Sequence, residues 1–230
     1  MMKHFKIILA VLLSFVFADC YAQSNEVKTF AILGDSYSTF EGYIPEGNAC
    51  WYSTTPHGEN DVTSVEQTWW HLFAKENGYE LLLNDSYSGS TICNTGYDGV
   101  DYSDRSFIQR MFNVTIGNPD LIVIFGGTND SWANAPIGEL SYNSWTSSSL
   151  YSFLPACCLM LEYLTASASG SQIVFVINSE LKEEVTNGII EACKHYGVQS
   201  LLLKDIDKIW SHPSVKGMSQ ISEQLSTFIK

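Results

Sequence analysis

A serine, a glycine, an asparagine and a histidine stand in four short polar blocks of this chain: "GDSYS" (34–38), "NDSYSGST" (84–91), "GGTND" (126–130) and "HPSVKGM" (212–218). A serine hydroxyl is a weak nucleophile until a base takes its proton during attack. A neutral histidine does this near neutral pH and later returns the proton to a leaving alcohol. Ser36 and His212 have those chemistries. The tetrahedral intermediate of acyl transfer carries negative charge on oxygen and needs fixed donors. The Ser36 backbone N–H, the Gly89 backbone N–H and the Asn129 side-chain amide have the required polarity. The set needs neither metal nor cofactor. A lone G-x-S carries little weight, because glycine and serine are ordinary loop punctuation.

The placement of the blocks adds the missing weight. Short apolar runs recur along the chain: "TFAIL" (29–33), "ELLL" (80–83), "DLIVIF" (120–125), "QIVFVI" (172–177) and "SLLL" (200–203). Each has the length and the branched composition of a buried strand. Helical spacing fills segments 65–76, 150–166, 180–195 and 214–229, the last through Met218, Ile221, Leu225 and Phe228. Strands alternating with helices predict an α/β chain: a three-layer α/β/α sandwich around a mostly parallel five-stranded sheet. Ligands of such sheets sit outside the carboxyl ends of the strands. The polar blocks follow the first, second, third and last runs, so their residues are expected to meet at one sheet end.

In this order and at these positions, the blocks resemble the SGNH, or GDSL-type, hydrolase family. The resemblance spans nearly all of the chain after residue 30. It implies a flavodoxin-like fold and hydrolysis of esters or thioesters. It also implies Ser36 as nucleophile, Gly89 and Asn129 in the oxyanion hole and His212 as base. Many members carry an aspartate three residues before the histidine, where this chain has Ile209. A histidine base needs a partner at its second ring nitrogen. Asp207, in the same exit loop, is the first candidate; Glu180, after the fourth run, and a backbone carbonyl of "KIWSH" are the others.

Composition narrows the setting. Lys3 and Lys6, an apolar run over 7–18, and Ala22 before Gln23 read as an export leader, leaving 23–230 as a single domain outside the cytoplasm, periplasmic or secreted. The run is short for a permanent membrane span. Cys20 suggests a lipoprotein signal, although Asp19 before it suits that signal poorly. A formal net charge of −13 argues against nucleic acid and anionic membranes as partners. Of the six cysteines, Cys157, Cys158 and Cys193 read as core residues, and Cys50 with Cys93 is the one pair considered for a disulfide.

No metal-ligand spacing is present. Asp98, Asp101 and Asp104 lack a full calcium-loop pattern, and Ser103 or Asp104 is expected to cap the next helix. Asp35 is expected to bind backbone amides in its own turn. His71 and His195 are read as structural. His57 lies in a long loop where substrate contact is open. Two long loops, 37–64 and 131–146, are rich in aromatics and amides, and both are expected to border Ser36. Such residues either stack on sugar rings or pin the loops. They favour a short acyl group on a saccharide carrier, with a lysophospholipid or thioester substrate, or a binding module without turnover, as the alternatives.

Overall fold

The computed structural model describes residues 27–230. The proposed leader over 1–22 lies outside the described residues. Five strands form one parallel sheet in the order β2-β1-β3-β4-β5: β1 (Lys28–Gly34), β2 (Tyr79–Ser86), β3 (Leu121–Phe125), β4 (Gln172–Ile177) and β5 (Gln199–Leu202). Each coincides with one of the five apolar runs.

Alternation along these strands builds two cores, because successive side chains point to opposite faces. Ala31, Leu33, Ile122, Ile124, Phe175 and Ile177 pack on one face with α4 (Phe153–Ser167) and α5 (Glu183–Tyr196). Phe30, Ile32, Val123, Phe125, Val174 and Val176 pack on the other with α1 (Trp69–Asn77) and α6 (Val215–Phe228). The result is the three-layer α/β/α arrangement. Two shorter helices, α2 (Phe107–Arg110) and α3 (Thr128–Trp132), follow the β2 and β3 exits. A two-stranded hairpin, β6 (Lys208–Ile209) and β7 (His212–Pro213), precedes α6.

Helix boundaries follow local chemistry. Thr68 caps α1 by accepting from the His71 N–H, and Ser214 caps α6 by accepting from the Gly217 N–H at 3.1 Å. The α2 N-cap is Ser106, which corrects the expectation of Ser103 or Asp104. Asp101 instead accepts from the Ser103 N–H at 2.8 Å, and Asp104 pairs with Arg105. Cys50 and Cys93 are not bonded: Cys93 is buried with its thiol on the Thr95 carbonyl, and Cys50 is exposed. Cys157, Cys158 and Cys193 are core residues as expected.

Candidate active site

The exit of β1 is a sharp turn. Gly34 comes so close to β2 that a Cβ would stand 2.4 Å from the Ser86 hydroxyl. Asp35 then accepts from the Tyr37 N–H at 3.0 Å, fixing a single 3₁₀ turn over Ser36–Ser38. Asp35 is fully buried, and burial pushes its carboxyl up to about 7, partly offset by that backbone bond. Ser36, raised at the turn, is bonded to His212: Oγ to Nε2 is 2.9 Å.

His212 is placed by the β6–β7 hairpin, whose two loop residues, Trp210 (φ 54°) and Ser211 (φ 61°), are both left-handed. That is the φ signature of a type I′ turn, which usually recruits Asn-Gly. Left-handed backbone costs a side-chain-bearing residue roughly 1–2 kcal/mol. The Tyr37 hydroxyl offsets part of this by donating to the Ser211 carbonyl at 2.5 Å. The turn aims the Trp210 carbonyl at His212 Nδ1, 3.0 Å away. A carbonyl only accepts, so Nδ1 carries the proton and Nε2 is left as the acceptor for the Ser36 hydroxyl. Burial pushes His212 down to about 4; the Trp210 bond pulls the other way, while His57 and Lys208 add to the depression.

Asp207 does not meet the histidine. Its cross-strand neighbour is Ser214, whose N–H donates to the Asp207 carbonyl at 3.1 Å and whose hydroxyl donates to its carboxylate. Asp207 therefore sits diagonal to His212 across the hairpin and braces the start of α6. Glu180 pairs with Lys208 at 3.1 Å. The backbone carbonyl, third of the sequence candidates, occupies the position beside Nδ1.

The donors expected from the sequence, Gly89 and Asn129, lie at the β2 and β3 exits. Gly89 has φ 82°, and an added Cβ would meet nothing within 4 Å. Backbone conformation rather than crowding within the protein calls for glycine here. Asn129 is buried at the start of α3. Its Oδ1 accepts from the Tyr97 hydroxyl at 2.8 Å, and its Nδ2 donates to the Ser90 carbonyl at 2.9 Å. That leaves one amide hydrogen for a substrate oxygen. Asp130, buried beside it, accepts from the Ile92 N–H at 2.8 Å and the Cys93 N–H at 3.2 Å, holding the loop beyond Gly89. Burial pushes the Asp130 carboxyl up to about 6.

The profile of the GDSL-like lipase/acylhydrolase family matches residues 28–229. The chain belongs to that family.

Among solved structures, this GDSL hydrolase is 52% identical to a protein of Bacteroides ovatus ATCC 8483 named as a GDSL-like lipase, with a TM-score of 0.86 over 88% of this chain and 98% of that one. It is 54% identical to a Bacteroides uniformis ATCC 8492 protein of the same name, with a TM-score of 0.83 over 86% and 93%. It shares its fold with a family two carbohydrate esterase of Clostridium thermocellum, at 15% identity and a TM-score of 0.55 over 88% and 63%. No curated protein matches. Family membership makes this GDSL hydrolase an ester hydrolase.

Several residues that shape the site escaped the sequence reading. Arg110, buried in α2, donates to the Gly34 carbonyl at 3.2 Å, to the Ser90 hydroxyl at 2.9 Å and to the Asp85 carbonyl. It thereby ties the β1 and β2 exits to the Gly89 loop. A lone arginine after a Ser-rich loop gave no signal for this. Asn178, at the β4 exit, donates to the Tyr37 hydroxyl at 3.2 Å. Tyr97 could have been suspected only by asking what holds the Asn129 amide.

The long loops divide. From the first, Trp51 lies flat on the His212 ring, and from the second, Trp132 meets it edge-on with centroids 6.0 Å apart. Tyr142 of the second loop instead stacks on His195, and Trp145 packs into the α4–α5 core. That part of the loop is pinned to the scaffold. His57 contacts Trp51, with centroids 4.0 Å apart. Among the described residues, no group of three or more His, Cys, Asp or Glu could hold a metal ion, and no helix is long and apolar enough to cross a membrane.

Proposed function

We propose that this GDSL hydrolase removes short acyl groups, acetyl above all, from a saccharide or similar polar carrier, using Ser36 and His212 as a dyad. The observation that carries the reading is the chain of contacts Ser36 Oγ–His212 Nε2 at 2.9 Å and His212 Nδ1–Trp210 carbonyl at 3.0 Å. Ser36 attacks the ester carbonyl carbon as its proton passes to Nε2. The Ser36 and Gly89 N–H groups and the free Asn129 amide hydrogen face the oxyanion. Collapse breaks the bond to the carrier oxygen, which takes the proton from Nε2, leaving an acyl-serine. Water, deprotonated by the same nitrogen, hydrolyses that ester and restores Ser36.

The choice of substrate rests on the surroundings. Beside His212, a cavity of about 120 Å³ is lined by Trp132, Asn178, Ser179, Glu180, Lys208 and Ser211, which is a polar wall with one aromatic face. A larger cavity, about 620 Å³, lies between β5 and α6 and includes none of these residues. Polar groups beside the hairpin that carries His212 suit a hydroxylated leaving group. The reading includes export, on the strength of the leader-like segment 1–22.

A panel of acetylated sugars, aryl esters of graded chain length and lysolipids, compared by kcat/KM, tests the proposal. Acetylated sugars are expected to lead, in the presence of chelator, and Ser36→Ala is expected to abolish turnover. A steady rise with acyl length would favour a lysophospholipase. Sugar binding without Ser36-dependent release would favour a binding module.

A further inference from the structure

Among the described residues no carboxylate meets either ring nitrogen of His212, yet the reaction proposed above makes it an imidazolium at each proton transfer. A neutral carbonyl at Nδ1 fixes the tautomer but offers only a dipole to the positive charge. One face of the ring, however, is covered. The indole of Trp51 lies parallel to it, with ring centroids 3.6 Å apart and planes 6° apart. A cation over an indole face is attracted by the ring quadrupole, and tryptophan is the strongest of the aromatic side chains in this respect.

The loop carrying Trp51 is fastened at both ends of the catalytic pair. Its own N–H donates to the Thr39 hydroxyl at 2.9 Å, and that hydroxyl donates to the Ser36 carbonyl at 3.0 Å. Next along the chain, the Tyr52 carbonyl accepts from the Glu41 N–H at 2.9 Å, and the Tyr52 hydroxyl donates to the Pro213 carbonyl at 2.9 Å. The indole is thus registered to the nucleophile turn on one side and to the histidine hairpin on the other. Its own Nε1 is buried without a hydrogen-bond partner among the described residues. Stacking, not a polar contact of the indole, positions the ring.

We propose that Trp51 is the positioning residue that takes over the work of the missing carboxylate, holding the His212 ring in plane and stabilising its imidazolium through the indole face. The inference rests on the dyad reading. The other titratable and charged neighbours do not supply a counter-charge. Tyr37 of the nucleophile turn and Tyr52 of the loop present neutral phenols, whose ionisation burial pushes far up. Lys208 of β6 is a cation, engaged by Glu180 at 3.1 Å. His57 contacts Trp51, with its ring tilted 42° to the indole. It opposes the imidazolium electrostatically and supplies no counter-charge.

The decisive experiment places fluorinated tryptophans site-specifically at position 51, where added fluorines weaken the quadrupole while shape and packing are kept. On an activated acetyl ester, kcat is expected to fall stepwise to about a tenth across the series. KM is expected to stay flat, and the acid limb of kcat/KM to move to lower pH. Trp51→Phe should retain more kcat than Trp51→Leu. An unchanged kcat across the fluorinated series overturns the proposal, as does a loss confined to KM. Parallel Ser36→Ala and His212→Ala measurements separate the two levels. Activity surviving in those variants defeats the dyad itself, whereas a flat Trp51 series with Ser36-dependent turnover defeats only the role of the indole.

Discussion

At His212, burial and the Trp210 carbonyl act in opposite directions, and burial wins, pushing the ring down to about 4 from an ordinary 6.5. In the proposed mechanism the neutral ring is the base. Activity that depends on it is therefore present above the folded value and is lost as pH falls through it. The acid limb of kcat/KM is expected near pH 4, more than two units below that of a solvated histidine. A limb near 6.5, measured with a pH-stable ester, would show that the ring is far better solvated. The orienting group is tested at the same scale. Asp207 is held by Ser214 and Glu180 by Lys208, so Asp207→Asn and Glu180→Gln are each expected to keep kcat within about threefold, against the roughly 10⁴-fold loss when a triad carboxylate is removed. Large loss in either variant would restore a carboxylate to the mechanism.

The β6–β7 hairpin is the element on which the geometry turns. It has only two loop residues, and both occupy left-handed backbone without being glycine. Strain of this kind persists where the surroundings over-determine it, here through the Tyr37 hydroxyl on the Ser211 carbonyl. Proline is locked near φ −65° and cannot adopt the 61° of Ser211. Ser211→Pro is therefore expected to swing the Trp210 carbonyl off Nδ1 and to cut kcat by about 10²-fold or more, the scale of loss for an ångström of misplacement. Ser211→Gly keeps the conformation and should keep kcat, with stability raised by about 1 kcal/mol as the strain is relieved. Parent-like turnover in Ser211→Pro would show that the turn is not what orients His212.

Across the whole molecule, the active end of the sheet is held by one buried cation. Arg110 joins Gly34, Asp85 and Ser90, so the Ser36 turn and the Gly89 loop share a brace running beneath both. Its partner Asp85, 3.4 Å away, is equally buried. Removing one member of such a pair leaves an uncompensated charge and costs about 3–5 kcal/mol. Arg110→Leu is expected to lower the unfolding free energy by that amount in urea titrations. Loss below about 1 kcal/mol, the scale of an exposed pair, would mean that water reaches the brace.

The sequence by itself determined the strands and the layer order, and it put a serine, a glycine, an asparagine and a histidine in polar blocks at strand exits. Those follow from hydrophobic period and from polar blocks at strand exits, which are local along the chain. It also established that the usual aspartate is absent at Ile209, but not what replaces it. Asp207 and the Trp210 carbonyl are both near His212 in sequence. Only the hairpin's left-handed turn, set by backbone φ that residue type does not reveal, sends the carbonyl to the ring and Asp207 to Ser214. The stacking of Trp51 on His212, and the roles of Tyr97 and Arg110, were beyond reach for a second reason. Their partners lie 161, 32 and 20–76 residues away, and pairings at such separation arise from how the crossovers and loops close in space.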